Sequence, residues 1–265
     1  MKFTFKSLVA VAALASVGAA QAEDFFPPYL QSGTGHWELS VDALSGLKVS
    51  GSGLRAPAEL PWVLPHAGSS NAAAYAVETG VASLGFSTLT QDGSRLASLQ
   101  APRSVLEIQR SVFDDQQDPD IVHRRLIYLA NIDLDLNNFT INAELYARDL
   151  TAGTPITSFG KQTIFFADVP GIVGGTEGQI VYSPDFRSAT ASGSLAGNLR
   201  LNQNTANIIL TRLGIQTDSE EGRLLREVSW GTFSFAASAV PEPSTYAMFG
   251  IGLLTMGALA RRRSI

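Results

Sequence analysis

The residues of this chain best suited to chemistry are few and scattered. His36, His66 and His123 are its histidines, and they form neither the H-x-x-x-H nor the H-E-x-x-H spacing that lets one helix hold a zinc ion. A Ser-His-Asp triad stays open on spacing alone, but no G-x-S-x-G turn supplies a nucleophile elbow. The densest carboxylate run, Asp114-Asp115-Gln116-Gln117-Asp118-Pro119-Asp120, offers hard oxygen ligands of the kind calcium takes. It lacks the ordered alternation of a calcium loop, and a solvated interstrand loop is the simpler expectation. Asp133, Asp135 and Glu144 could pair as the two carboxylates of a glycosidase, although their alternation with apolar residues places them on a solvent-facing sheet surface. Trp37, Trp62 and Trp230 would stack on sugar rings if they shared an exposed face, whereas Phe233 and Phe235 beside Trp230 point to packing. Pro170-Gly171-Ile172-Val173-Gly174-Gly175 lacks the Gly-Lys-Ser/Thr that would make it a phosphate cradle, and reads as a turn. Asn138-Phe139-Thr140 fits a glycosylation sequon at a hairpin turn.

The elements that would position these residues are mostly strands. Trp37–Val41 and Leu47–Ser50 alternate and are expected to form a hairpin across Asp42–Gly46. Val105–Arg110 is a further strand. Ile127–Leu136 alternates strictly, Asn137-Asn138 turns the chain, and Phe139–Arg148 alternates again, the pattern of an antiparallel hairpin with one wet face. Thr163–Phe166, Gln179–Tyr182, Ala189–Leu201 and Val228–Ala236 add strands. Asn71–Leu89 fits a helix start or strands equally, and Ala56–Ser70, with three prolines, is a loop. Asn204–Leu213 carries Ala206, Ile209, Leu210 and Leu213 at helical spacing with Gly214 just beyond, so one short helix is expected there. The fold class is all-β, an antiparallel β-sandwich or jelly roll with one short helix, plus a C-terminal transmembrane helix.

The two ends address the chain. Lys2 and Lys6, the apolar run Leu8–Val17 and Ala20-Gln21-Ala22 are the parts of a secretory signal peptide, so residues 1–22 are expected to be removed. Tyr246–Ala260 is apolar throughout, yet at 1.5 Å per residue it covers only about 22 Å of a hydrocarbon core roughly 30 Å thick. It is a marginal anchor that needs Ser244, Thr245 and snorkelling arginines to span. Arg261, Arg262 and Arg263 act as a basic stop and keep that end cytoplasmic, which puts the body, residues 23–239, on the outer side. Of 19 Lys+Arg and 24 Asp+Glu, the body keeps 14 and 23 once Lys2, Lys6, the three terminal arginines and Glu242 are set aside, a net charge of about −9. Nucleic acid is therefore not expected as a partner. The absence of cysteine excludes disulfides and thiol chemistry.

Val240-Pro241-Glu242-Pro243-Ser244, the apolar stretch and the terminal arginines resemble, in order and spacing, the PEP-CTERM sorting signal of residues 240–265. The resemblance implies a substrate of an exosortase, a membrane protease-transpeptidase of Gram-negative bacteria that make exopolysaccharide. The protein would be exported through the inner membrane, held there transiently, cut near Pro241–Pro243, and delivered to the cell surface or extracellular matrix. The two prolines agree, since they hold the motif extended and deny it helical hydrogen bonds. Separately, the strand, helix, glycine-containing loop and strand from Leu195 to Ala236 resemble the C-terminal part of HtaA-type haem-binding domains in topology, with no ligand carried over. Three functions follow as expectations. The first is a non-enzymatic surface or matrix protein associated with exopolysaccharide, without cofactor or metal. The second is a module binding sugar, or binding haem through a Tyr or His of the strand-helix-strand region. The third is a carboxylate-pair glycosidase.

Overall fold

The computed structural model describes residues 29–61, 64–114, 118–168, 177–184, 188–195 and 198–239. Its strands are β1 (Ser32–Glu38), β2 (Ser52–Arg55), β3 (Ala73–Ala76), β4 (Val81–Phe86), β5 (Thr88–Asp92), β6 (Arg95–Asp114) and β7 (Asp118–Asp135). They continue as β8 (Thr140–Asp149), β9 (Thr157–Ala167), β10 (Val181–Tyr182), β11 (Ala189–Leu195), β12 (Leu199–Leu201) and β13 (Thr232–Ser238). Among the described residues three helices interrupt them: α1 (Val41–Val49), α2 (Gln203–Leu213) and α3 (Glu220–Glu227). One sheet runs in the order β10-β11-β13-β1-β4-β3 and the other β12-β9-β8-β7-β6-β2, with β5 added beside β6. The compact unit so formed comprises Leu30–Val181 and Thr190–Val240. In the short segment Tyr182–Ala189, Ser183 N–H donates to the Ser188 carbonyl at 3.0 Å.

The two sheets face each other because each alternates. Burial along β13 and β8 switches residue by residue, so one face of each sheet must leave water. Trp37, Leu84 and Phe233 from the first sheet meet Leu106, Leu129, Ile141, Ile164 and Phe165 from the second around a purely apolar cavity of about 10 Å³. The second sheet is longer, and helices cover the rest of its inner face. Leu47 of α1, Ile209, Leu210 and Leu213 of α2 and Leu225 of α3 close over Ile108, Leu129 and Leu201. The outer face of the second sheet is partly covered by the proline loop, where Leu60 and Leu64 pack on Val105, Leu126, Tyr128 and Ala130. Asn71 pins that loop. Its Nδ2 donates to the Pro57 and Val105 carbonyls at 2.7 and 2.9 Å, while its Oδ1 accepts from Ala73 and Val105 N–H at 2.9 and 2.8 Å.

The antiparallel sandwich agrees with the sequence, as do the β7–β8 hairpin and α2. Asn202 caps α2 by accepting from Asn204 and Thr205 N–H, and Gly214 ends it in the left-handed region at φ 72°. Three expectations are corrected. The hairpin over Trp37–Ser50 is a strand followed by a helix, because Ser40 accepts from Ala43 N–H at 3.0 Å and starts α1. Its buried Ala43, Gly46 and Leu47 then recur at helical spacing. Ala189–Leu201 is two strands, β11 in the first sheet and β12 in the second. The expected loop after Gly214 contains α3, capped by Ser219 and opened by Glu220 and Glu221. The ambiguous Asn71–Leu89 resolves into β3, β4 and the start of β5. The signal peptide and the transmembrane helix lie outside the described residues.

Candidate functional site

Several of the candidate chemical groups are engaged by separate local partners. His36 and Ser83 face each other on β1 and β4, and His36 Nδ1 lies 3.2 Å from Ser83 Oγ at the exposed surface. The contact sets a hydroxyl beside an imidazole, and the sequence did not suggest it. The neighbours in register are Ser234 on β13 and Ala74 on β3, so no carboxylate stands beside the pair in register to complete a triad. His66 sits in the proline loop with a left-handed φ of 61°, and His123 is on β7, paired with Val112 of β6. Among the described residues, no three His, Cys, Asp or Glu side chains gather as a metal site.

The three carboxylates considered for glycoside hydrolysis do not pair. Asp135 is a turn cap: its Oδ1 accepts from Asn137 and Asn138 N–H at 2.9 and 3.1 Å, and its Oδ2 from Asn138 Nδ2 at 2.7 Å. The sequon asparagine is thereby engaged in the turn. Glu144 accepts from the Tyr146 hydroxyl at 2.7 Å. Asp133 corrects the expectation of a solvent-facing surface. Its side chain is only 9% exposed, because Lys161 of β9 reaches over it with Nζ 2.6 Å from Oδ2. Its Oδ1 is buried without a partner among protein atoms.

The tryptophans are also accounted for by packing. Trp37 and Trp230 are buried and sandwich Phe165, whose ring centroid lies 4.9 Å from Trp37 and 5.4 Å from Trp230. Neither offers a sugar platform; Trp62 lies outside the described residues. The strand-helix-strand segment Leu195–Ala236 contains no Tyr and no His, which removes the expected haem ligand from that segment. Tyr128 and Tyr146 of the second sheet keep their hydroxyls protonated at neutral pH. Burial pushes the Tyr128 hydroxyl up to about 12, and burial with the bond to Glu144 does the same for Tyr146. Glu107 is 2% exposed; burial raises its carboxyl, and Arg55, with Nη2 2.6 Å away, pulls it back down. Asp114 and Asp118 pair across the end of the β6–β7 ribbon, and Asp115–Gln117 and Pro170–Gly175 lie outside the described residues.

What remains is the junction with the tail. β13 is an interior strand whose last residue, Ser238, stands in register with Ser32 of β1 and Thr190 of β11. Gln31 N–H adds a bond of 3.2 Å to the Ser238 carbonyl, and Ala239 is buried. Val240, Pro241, Glu242, Pro243, Ser244 and Arg261, Arg262, Arg263 follow directly and lie outside the described residues.

At this junction the comparisons with known proteins become informative. Residues 239–263 match the PEP-CTERM protein-sorting motif, so the chain carries an exosortase sorting signal and is an exported protein, anchored transiently in the membrane before it is cut. The match begins on the residue after β13 and leaves the body unassigned. Among solved structures, the chain is similar to the C-terminal domain of HtaA from Corynebacterium glutamicum, at 12% identity, covering 79% of this chain and 97% of that one, with a TM-score of 0.41. No curated protein matches the sequence.

Proposed function

We propose that the protein is a non-enzymatic cell-surface or extracellular-matrix protein, delivered by exosortase processing and associated with exopolysaccharide. The observation that carries this reading is the direct join of a sorting motif to the last strand of the sandwich. The sandwich is then the delivered cargo. The engagement of Asp133 by Lys161, of Glu107 by Arg55, of Asp135 by its own turn and of Glu144 by Tyr146 supports a structural role for these carboxylates in that cargo. The acidic net charge is compatible with a hydrated neutral polymer and does not draw the body onto nucleic acid.

Intact-mass analysis of the cell-associated and released forms tests the delivery. Cuts near Ala22 and within Pro241–Pro243 are expected; a released form that keeps its full tail would overturn it. Co-sedimentation of the processed protein with the producing cell's own polysaccharide tests the destination. Hydrolysis of a polysaccharide or ester by the purified protein, abolished by one Asp, Glu or His substitution, would overturn the non-enzymatic role.

A further inference from the structure

The sorting motif starts where the sheet ends, and this constrains how a protease can reach it. Only Ala239 and Val240 separate Ser238 from Pro241, a reach of about 10 Å even when fully extended. Proteins that bind an extended segment take up its main-chain donors and acceptors along an edge. Those of Ser238 are engaged by the sheet: it stands between Ser32 and Thr190, and its carbonyl accepts from Gln31. Ala237 and Ala239 are buried as well. An enzyme that grips residues on the N-terminal side of a cut at Pro241–Pro243 therefore meets a closed strand.

Resting on the sorting function above, we infer that the enzyme docks on the body as well as on the tail. The docking surface is the rim where β1 begins and β13 ends, formed by Gln31, Ser32, Thr190 and Ser238, and the partner is a membrane protease that binds an extended chain. Docking requires the last pairs of β13 to open, so that Ser238 exchanges its sheet partners for those of the enzyme. The rim suits this exchange. Gln31, Ser32 and Thr190 are exposed and uncharged, so an approaching edge displaces water and weak terminal pairs, with no buried charge to uncover.

Four full-length chains in an exosortase-bearing host test the inference: the parent, one with Gly-Ser-Gly-Ser inserted between Ala239 and Val240, the Ser32→Cys/Ser238→Cys double variant, and the insertion combined with that pair. Directly opposed residues of antiparallel strands are about 4.5–5.5 Å apart at Cα, within disulfide range, and the chain has no other cysteine to compete. Pulse-chase of the processed form is the readout. We expect the insertion to speed processing, the disulfide staple to abolish it in the chain of native length, and the insertion to restore it in the stapled chain. Processing of the stapled chain at the parent's rate overturns the inference and leaves the sorting function standing. Failure of the stapled, lengthened chain while the lengthened chain is processed also overturns it, since the staple would then act by some route other than strand closure. Failure of all four chains removes the sorting function and this inference with it.

Discussion

Trp37 donates its indole N–H to the backbone carbonyl of Trp230 at 2.8 Å, across 193 positions of sequence. Trp230 in turn donates its own indole N–H to the Leu225 carbonyl at 3.0 Å, and Phe165 lies against both rings. One aromatic cluster thus ties β1, β9, the end of α3 and the approach to β13. Trp37→Phe keeps most of the packing and leaves the Trp230 carbonyl unpaired in the core. We expect a loss of about 1–3 kcal/mol, read as a lower denaturation midpoint with an unchanged slope. Trp37→Ala adds a cavity and costs about 3–5 kcal/mol.

Gly231 occupies the step between Trp230 and β13 at φ 99°. A Cβ there would overlap the Glu38 carbonyl oxygen, a backbone atom fixed by the strand pairing that follows. Gly231→Ala is expected to destabilise by about 1–3 kcal/mol from backbone strain alone, with the steric clash added. Thermal unfolding of the processed protein checks it. Gly68→Ala is the contrast: its φ is 77° but nothing lies within 4 Å of the new Cβ, so its loss is smaller.

Lys161 should matter more than its 57% exposure suggests. Removing it strands the buried Asp133 carboxylate, whose Oδ1 already lacks a protein partner. Lys161→Gln is expected to cost more than the 0–1 kcal/mol of an ordinary surface pair. Asp133→Asn in the Lys161→Gln background recovers part of that loss, because no charge is left buried. A double-mutant cycle by urea unfolding measures the coupling, and additive losses would show that the pair is not coupled.

Two carboxylates give opposite pH signatures. The Asp149 carboxyl is held below its ordinary 3.8, first by the Ala152 backbone N–H and also by Arg125. Its folded form therefore contributes stability above the unfolded pKa, and that stability is lost as pH falls through the lowered value. Glu107 is raised above its ordinary 4.5 by burial, so its contribution is full at low pH and declines as pH rises through the raised value. Unfolding measured as a function of pH is expected to show Asp149→Asn converging on the parent as pH falls through the lowered value. Glu107→Gln converges on the parent, or exceeds it, as pH rises through the raised value.

Much of this fold is legible from alternation. Ile132 and Leu134 against Asp133 and Asp135 place β7 correctly, and Gly214 after Leu213 ends α2 where the structure ends it. The misread stretch, Val41–Val49, carries two patterns at once. Trp37, Leu39 and Val41 continue a period of two, while Ala43, Gly46 and Leu47 begin a helical period. Ser40 decides between them as an N-cap, a local signal that the neighbouring alternation masks. α3 escaped because Leu224 and Leu225 are its only large apolar residues, too few to draw a stripe. The break between β11 and β12 is visible only as Gly197-Asn198, since the residues on either side alternate alike. The rim around Ser238 could not be read at all, because the pairing of β1 with β13 is a property of the folded topology.

That pairing also sets an order in time. β13 joins β10-β11 to β1-β4-β3, so without it the first sheet is two fragments. At about 5–20 residues per second of synthesis, β1 waits roughly ten to forty seconds for the strand that completes its sheet. The tail is made immediately after that strand. A truncated chain that stops before Thr232 therefore lacks both the finished sandwich and the address. Completion of the first sheet and the start of the sorting signal are therefore adjacent steps in the chain.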